Sequence, residues 1–583
     1  MEHPPKRKRL SYACNHCRQK KTRCDEQQPS CRNCRIAGVE CITTDKRRAG
    51  VIVNYRRRSV TETAATPSNS QAQLVIGTPV SESQHSPSSQ SRARFSAQCW
   101  DRSGWRSGRF PMMPRFMEGC MFDIMTEWLD LAFYRLRIPA PYAASWQVAP
   151  VSVSVPQPPP VLPSSPEMHI LGRTFLQTLC QVVPFISEER VIDLCNLNAA
   201  MSSSEQALVY LIAATGLMTG QNQQRATIEA YISHCNTLLG HIIAERSLQS
   251  VQAILLFAIV LRCRDHVAWA WNILSLGVSM AQSIGIHQTR PKSQDHSDWN
   301  QVWWCMYIFE KILAFESGRG SLIWDRELSS LVNLTDDASP DEKYKWACIS
   351  LADTLHEMQD RAARAWRREE WLPQSVEEAI EEKINTGGEL TALLEGWWKG
   401  LPPQSQPGCM PVSDHATFQQ SAFLSFYYHY AFMLLKRSVL LVEPSELRTM
   451  IERYASGKPW QHRIANGATL CVDAAREMVK LIVATVDCGI PSFLNTLNSP
   501  LSAVYVLAVH IMRERHSLLI RADLELMKAA IEVAKDYQRL ENGRGFMMFY
   551  RLSKIMLYNV SIGRCLNRLE LEVNRAISRP VAL

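Results

Sequence analysis

Six cysteines stand within 28 residues near the N-terminus, spaced Cys14-x2-Cys17-x6-Cys24-x6-Cys31-x2-Cys34-x6-Cys41. The module Cys-x2-Cys-x6-Cys is written twice. Thiolates are zinc ligands, and a structural zinc takes four of them in a tetrahedron. Two zincs need eight ligand positions, and six cysteines supply eight only when two of them bridge both metals. One zinc would leave two cysteines idle, and iron–sulfur ligation normally uses four. So short a span cannot fold on apolar burial alone, so metal binding would supply its folding energy. The expected cofactor is two Zn(II).

Six thiolates and two Zn(II) leave two negative charges in sum, and basic neighbours offset them. Arg18, Lys20, Lys21 and Arg23 fill the first x6 spacer, where a short helix would fan them around the cluster. The second half offers only Arg32 and Arg35, followed by Ile36-Ala37-Gly38-Val39-Glu40. One half is built to touch an anion and the other to support it. A disulfide framework is the plainer alternative, and it fits poorly with an intracellular chain. A ubiquitin-ligase-type zinc module interleaves two sites over a longer span and normally includes histidine. His16 lies inside Cys14-x2-Cys17, too close to serve as a seventh ligand, and is expected to be exposed.

The cluster resembles that of the fungal binuclear zinc cluster transcription factors. The match covers all six cysteines, Arg18, Lys20, Lys21, Arg23 and Pro29. The resemblance implies that Cys14 and Cys31 bridge the metals. It also implies that Lys20 and Lys21 read a CGG triplet of double-stranded DNA in the major groove. A lysine ammonium can donate to guanine O6 and N7, which suits that role.

The chain around this cluster is strongly asymmetric. Residues 1–60 carry 16 Lys and Arg against 5 Asp and Glu, whereas 61–583 carry 48 against 51. Excess positive charge confined to one end is the footprint of a polyanion binder. Residues 1–13 form a basic tail in which Lys6, Arg7, Lys8 and Arg9 are the expected nuclear import signal. Residues 14–41 are the expected DNA-binding module. Residues 42–116 read as a basic segment and a disordered linker rich in Ser, Gln, Thr and Pro. The other twelve cysteines are scattered singly and read as small buried hydrophobes.

Residues 117–138 read as a helical island. Met121, Ile124, Met125, Trp128 and Leu131 share one face, with Glu118, Asp123, Glu127 and Asp130 interspersed. Such a mixture suits an activation segment that folds into a coactivator groove. The plainer reading is a helix docked on the domain that follows, and Arg135 and Arg137 beside it favour that reading. A Pro-rich linker follows at 139–166. Residues 167–577 are helix-patterned almost throughout, as in Ala207–Met218, Ala226–Ile243, Leu248–Arg262, Ala268–Ile284, Phe418–Val442 and Leu501–Leu519. The fold class expected is thus a small binuclear zinc module plus a large all-α regulatory domain in two packed layers, joined by a disordered linker.

The family resemblance extends over this domain through Leu248-Gln-Ser-Val-Gln-Ala-Ile-Leu-Leu, Ala268-Trp-Ala-Trp-Asn-Ile-Leu-Ser-Leu-Gly and Ser283-Ile-Gly-Ile-His287. It continues through Gln301-Val-Trp-Trp-Cys-Met-Tyr-Ile-Phe-Glu-Lys311 and Gly318-Arg319-Gly320. Glu310-Lys311 stands where the family usually has Asp-Arg, and Gly320 where it usually has proline. Both changes keep charge and turn character. The resemblance implies fungal origin, nuclear location and a pathway-specific regulator, more in keeping with an activator than a repressor. It further implies control of a metabolic or secondary-metabolite gene cluster, with the transcription machinery or a coactivator as partner.

Enzyme chemistry has no support. His356-Glu357 lacks the second histidine of a zinc protease, and no nucleophile elbow, phosphate loop or dinucleotide glycine pattern occurs. His287 reads as a cap or packed side chain, and Trp303 and Trp304 as core. The longest apolar run, Ala253 to Leu261, is nine residues, short of a membrane span, so no membrane partner is expected. The N-terminus has no apolar stretch behind its basic residues, unlike a secretory signal. The rival class is a zinc-dependent protein scaffold whose basic arm serves localisation only. Proline at 67, 79 and 87 breaks any coiled coil after the cluster, so a homodimer would form through the helical domain.

Overall fold

A computed structural model describes residues 15–20, 31–39 and 42, five residues between 128 and 135, and, with short gaps, residues 158–537. The chain divides into two compact units, Met1–His85 and Ser86–Leu583. Among the described residues every regular element is helical.

The first unit contains two short helices that pack together, α1 (Asn15–Gln19) and α2 (Arg32–Ala37). Helices this short are marginal on propensity alone, so their ends must be fixed from outside. Cys31 is the N-cap of α2, its sulfur accepting from the Cys34 N–H. Gly38 closes α2 in the left-handed region at φ 63°, donating to the Arg35 carbonyl while Val39 donates to that of Cys34. A side chain at Gly38 would strain that cap.

In the second unit five helical residues between 128 and 135 precede α3 (Ser165–Gln177), which is capped by a Ser164/Glu167 box, then come α4 (Leu179–Val182) and α5 (Glu188–Cys195). Next come α6 (Ser203–Thr219), α7 (Arg225–Glu245), α8 (Leu248–Cys263), α9 (Val267–Ile284) and α10 (Ser297–Ser317). They are followed by α11 (Pro340–Trp371), α12 (Val376–Gly400) and α13 (His415–Lys436), which runs into a 3-10 turn at Arg437–Leu441. The remaining helices are α14 (Pro444–Tyr454), α15 (Gln461–Ala465), α16 (Gly467–Asp487), α17 (Leu501–Arg513) and α18 (Ile520–Tyr537).

Two of these helices are buried on all sides, as their apolar composition demands. In α8 every residue from Ser250 to Arg262 is buried, packed between α6 and α9. In α13 nearly every residue from Phe418 to Lys436 is buried, against α12 and α16. Around α8 gather α6, α7, α9 and α10, with α3 on α6; around α16 gather α13, α17 and α18, and α11 packs against α10 and α13. One continuous apolar core runs through all of them, and a smaller one lies under α12, α14 and α15 around Trp460.

Two helices depart from their expected ends. Phe418–Val442 is not one helix, because the last turn tightens to a 3-10 form and Pro444 forces Glu443 into an extended conformation (ψ 131°). Leu501–Leu519 is interrupted: α17 ends at Arg513, and α18 starts at Ile520. Apolar periodicity runs on past Arg513 in the sequence, so composition alone gave no stop.

Candidate zinc cluster and nucleic-acid interface

Cys17 on α1 and Cys31 at the start of α2 bring their sulfurs to 3.6 Å. A disulfide would need about 2.05 Å. Four thiolates at about 2.3 Å from one zinc lie about 3.8 Å apart along each edge of the tetrahedron. The observed spacing therefore fits two ligands of one zinc and not a disulfide. Cys17, Cys31 and Cys34 are all fully buried. Burial of thiols is compatible with the thiolate form where donors and cations surround them. Two N–H donors are present: the Asn33 side-chain amide reaches the Cys17 sulfur at 3.4 Å, and the Cys34 backbone N–H reaches that of Cys31 at 3.4 Å. The Asn15 N–H donates to the Ile42 carbonyl at 2.8 Å, tying the start of the cluster to its end.

Cys14, Cys24 and Cys41 lie outside the described residues, as do Lys21, Arg23 and the Lys6–Arg9 run. Among the described residues no set of three or more His, Cys, Asp and Glu side chains converges on a metal site. Arg18 lies on α1, and Lys20 follows its last residue, exposed, with its N–H on the His16 carbonyl. His16 is partly buried rather than exposed. On α2, Arg32 and Arg35 are exposed and so is Ile36. Asn33 carries a contact to sulfur that spacing did not single out; a polar residue inside the second Cys-x2-Cys is its only mark in the sequence.

In the helical unit, the residues that deviate from the family's usual motif hold one turn together. The Glu310 carboxylate accepts from the Ser321 hydroxyl at 2.9 Å and from the Leu322 N–H at 2.8 Å, while the Lys311 ammonium donates to the Ile323 carbonyl at 2.9 Å. Gly318 adopts φ 65°, and the Arg319 guanidinium lies 5.5 Å from the Trp271 ring. A side chain at Gly320 would meet nothing within 4 Å, so no close approach requires the glycine there. This constellation folds the chain that follows α10 back onto it. His287 lies against Trp303 at 5.9 Å, and Trp303 and Trp304 are buried. The thiols of Cys195, Cys348 and Cys471 are pushed up to about 11, about 12 and about 12 by burial, which keeps them protonated and inert. No helix among the described residues is long and apolar enough to cross a membrane.

Comparison with known proteins is decided by two family models. The fungal Zn(2)-Cys(6) binuclear cluster domain matches residues 12–50, and the fungal specific transcription factor domain matches residues 173–355. Over these residues the chain carries the two domains typical of the fungal binuclear zinc cluster transcription factors. Members bind two zinc ions in the cluster and act on DNA in transcription regulation. Among the relatives, an ABC-transporter-regulating transcription factor of Aspergillus oryzae is 23% identical over 304 residues, 49% of this chain and 33% of that one. Transcription factor FBD3 of Fusarium pseudograminearum is 25% identical over 413 residues, 56% of this chain and 54% of that one. The tropolone cluster transcription factor tropK of Talaromyces stipitatus is 61% identical over 46 residues, 8% of this chain and 7% of that one. The chain spans between a third and about half the length of the first two.

Proposed function

We propose that the chain is a nuclear, pathway-specific activator that recognises CGG-type elements. Cys14, Cys17, Cys24, Cys31, Cys34 and Cys41 hold the two zincs, Cys14 and Cys31 as bridges. Lys20 and Lys21 read the bases, with Arg18 and Arg23 on the phosphates, and Lys6 to Arg9 directs import. The observation that carries the reading is the 3.6 Å sulfur pair of Cys17 and Cys31, with exposed Lys20 at the end of the helix that holds Cys17. The metal fixes α1, and α1 in turn aims the basic pair at guanine edges, where lysine donors match O6 and N7. Phosphate contacts supply affinity, and base contacts supply choice. The relatives' names, one regulating ABC transporters and one a tropolone cluster, support control of a metabolic or secondary-metabolite gene cluster. Any homodimer forms through the helical unit.

Selection of bound sites from a random duplex pool by the full-length protein tests the reading. Enrichment of CGG-bearing duplexes, lost on Lys21→Ala, is expected. Uniform binding to all sequences would instead favour a scaffold with a merely cationic arm.

A further inference from the structure

Where α13 passes into its 3-10 turn, the fold gathers positive charge that it does not neutralise. Lys436 ends α13 and Arg437 begins the turn, and they are only 1% and 3% exposed. Among the described residues no acceptor reaches the Lys436 ammonium, and none reaches Nε of Arg437. Nη1 of Arg437 donates to the Leu434 carbonyl at 2.9 Å, a bond within its own helix that brings no opposite charge. The Phe432 ring lies 6.0 Å from the ammonium, at the outer limit of a cation–π contact. Burial lowers Lys436 to about 7 and Arg437 to about 10, so the guanidinium keeps its charge near neutrality.

Carboxylates do not balance the pair. Glu395 of α12 acts on Lys436, but its Oε1 lies 3.2 Å from Nε of Arg463, and that arginine opposes the ammonium. Arg437 is faced by Tyr430 and Cys471, and burial pushes both up, so both stay neutral. Cys471 of α16 packs on α13 one turn before Lys436, its thiol 3.6 Å from the Met433 carbonyl, and both cations act on it. Two more guanidinium groups close the far end of the turn, Arg513 on the Leu440 carbonyl at 2.6 Å and Arg135 on that of Leu441 at 3.0 Å. A buried charge without a partner is strongly destabilising. Both unpartnered nitrogens are donors, so what completes them must accept hydrogen bonds and carry negative charge. It must also be small, because Lys436, Arg437 and Cys471 are all sealed from solvent.

We propose that Lys436 and Arg437 bind one small monovalent anion, a halide or a short carboxylate, in the corner that α13 forms with Cys471 of α16. Charge-assisted bonds from the ammonium and from Nε of Arg437 hold it. The turn that Arg437 begins packs on α16 and α17, so the bound anion ties α13 to both. The site lies beyond both matched family domains, which end at residues 50 and 355, and it does not depend on the activator reading.

Urea denaturation of the full-length protein at fixed ionic strength tests this, with sodium gluconate replaced stepwise by sodium chloride or by sodium formate. Gluconate is too bulky for a sealed corner and serves as the reference. The folding equilibrium constant of the wild type should rise on replacement, approaching about tenfold per tenfold of anion once the site is filled. Whichever salt acts at the lower concentration tells a halide site from a carboxylate site. Lys436→Met keeps the side chain's length and removes its charge, and its stability should be the same in all three salts. Wild-type stability that ignores both replacements would overturn the proposal. So would an anion dependence that persists unchanged in Lys436→Met, which would place it on the exposed surface. If that variant does not fold, the shape of the wild-type curve decides. A single site gives a logarithmic slope that levels at one, whereas a logarithm that rises in proportion to concentration would mean a general salt effect and no site.

Discussion

Arg262 on α8 and Glu316 on α10 face each other as a two-pronged pair, Nε to Oε2 at 2.6 Å and the second guanidinium nitrogen to Oε1 at 2.9 Å. Both are buried, and the Tyr427 hydroxyl from α13 lies 3.3 Å from Glu316. The network joins three helices at the centre of the fold. Burial and the Glu316 carboxylate together push the Tyr427 hydroxyl well above its usual range, so it stays a donor.

Removing one partner leaves the other charge buried without compensation. Arg262→Ala should destabilise the helical unit by about 3–5 kcal/mol, and the double change Arg262→Met with Glu316→Leu by much less. Chemical denaturation of both variants checks this. A single variant as stable as the wild type would mean that water relieves the charge.

That pair also marks the limit of what the sequence discloses. Leu248–Arg262 is legible as a buried helix because its apolar residues run around every face, but nothing in it names a partner 54 residues away. The cysteine cluster is legible for the opposite reason: coordination fixes both ligand type and spacing within one short segment. The Arg135 hydrogen bond to the Leu441 carbonyl joins residues 306 apart, and no local pattern encodes so distant a contact. The 3-10 end of α13 and the stop of α17 at Arg513 depend on tertiary contacts of the same kind.

Two tyrosines pin the end of the Pro-rich linker. The Tyr210 hydroxyl donates to the Pro160 carbonyl at 2.9 Å and that of Tyr231 to the Val161 carbonyl at 3.1 Å. Each Tyr→Phe change should cost about 0.5–1.5 kcal/mol. The double variant should expose the chain ahead of α3 to protease, while a cleavage pattern identical to wild type would argue that apolar packing alone holds it.

Acid should weaken the helical unit through His429. Burial holds its imidazole down at about 4, with Glu477 pulling the other way. An unfolded histidine titrates near about 6.5. The folded value is depressed, so its contribution is complete above about pH 6.5 and is lost as pH falls towards about 4. The loss is on the order of 3 kcal/mol. Burial also lowers His234, His266 and His510, which adds in the same direction. In His429→Leu the fall of stability over that window should be shallower; an unchanged slope would remove His429 from the explanation.

On DNA, Lys21 and Arg23 should separate. Lys21→Ala should cost about 1–3 kcal/mol on a CGG duplex and relax base preference. Arg23→Ala should weaken all sequences alike and reduce the salt slope by about one. Equal losses on CGG and scrambled duplexes for Lys21→Ala would assign it to phosphate.

Zinc content bears most directly on the whole account. Elemental analysis of the full-length protein, with binding to a CGG duplex followed during titration by a chelator, measures metal and function together. Two zincs per chain are expected, with DNA binding lost as they are withdrawn and restored when zinc is returned. One zinc per chain with undiminished binding, or binding that survives complete removal of metal, would contradict it.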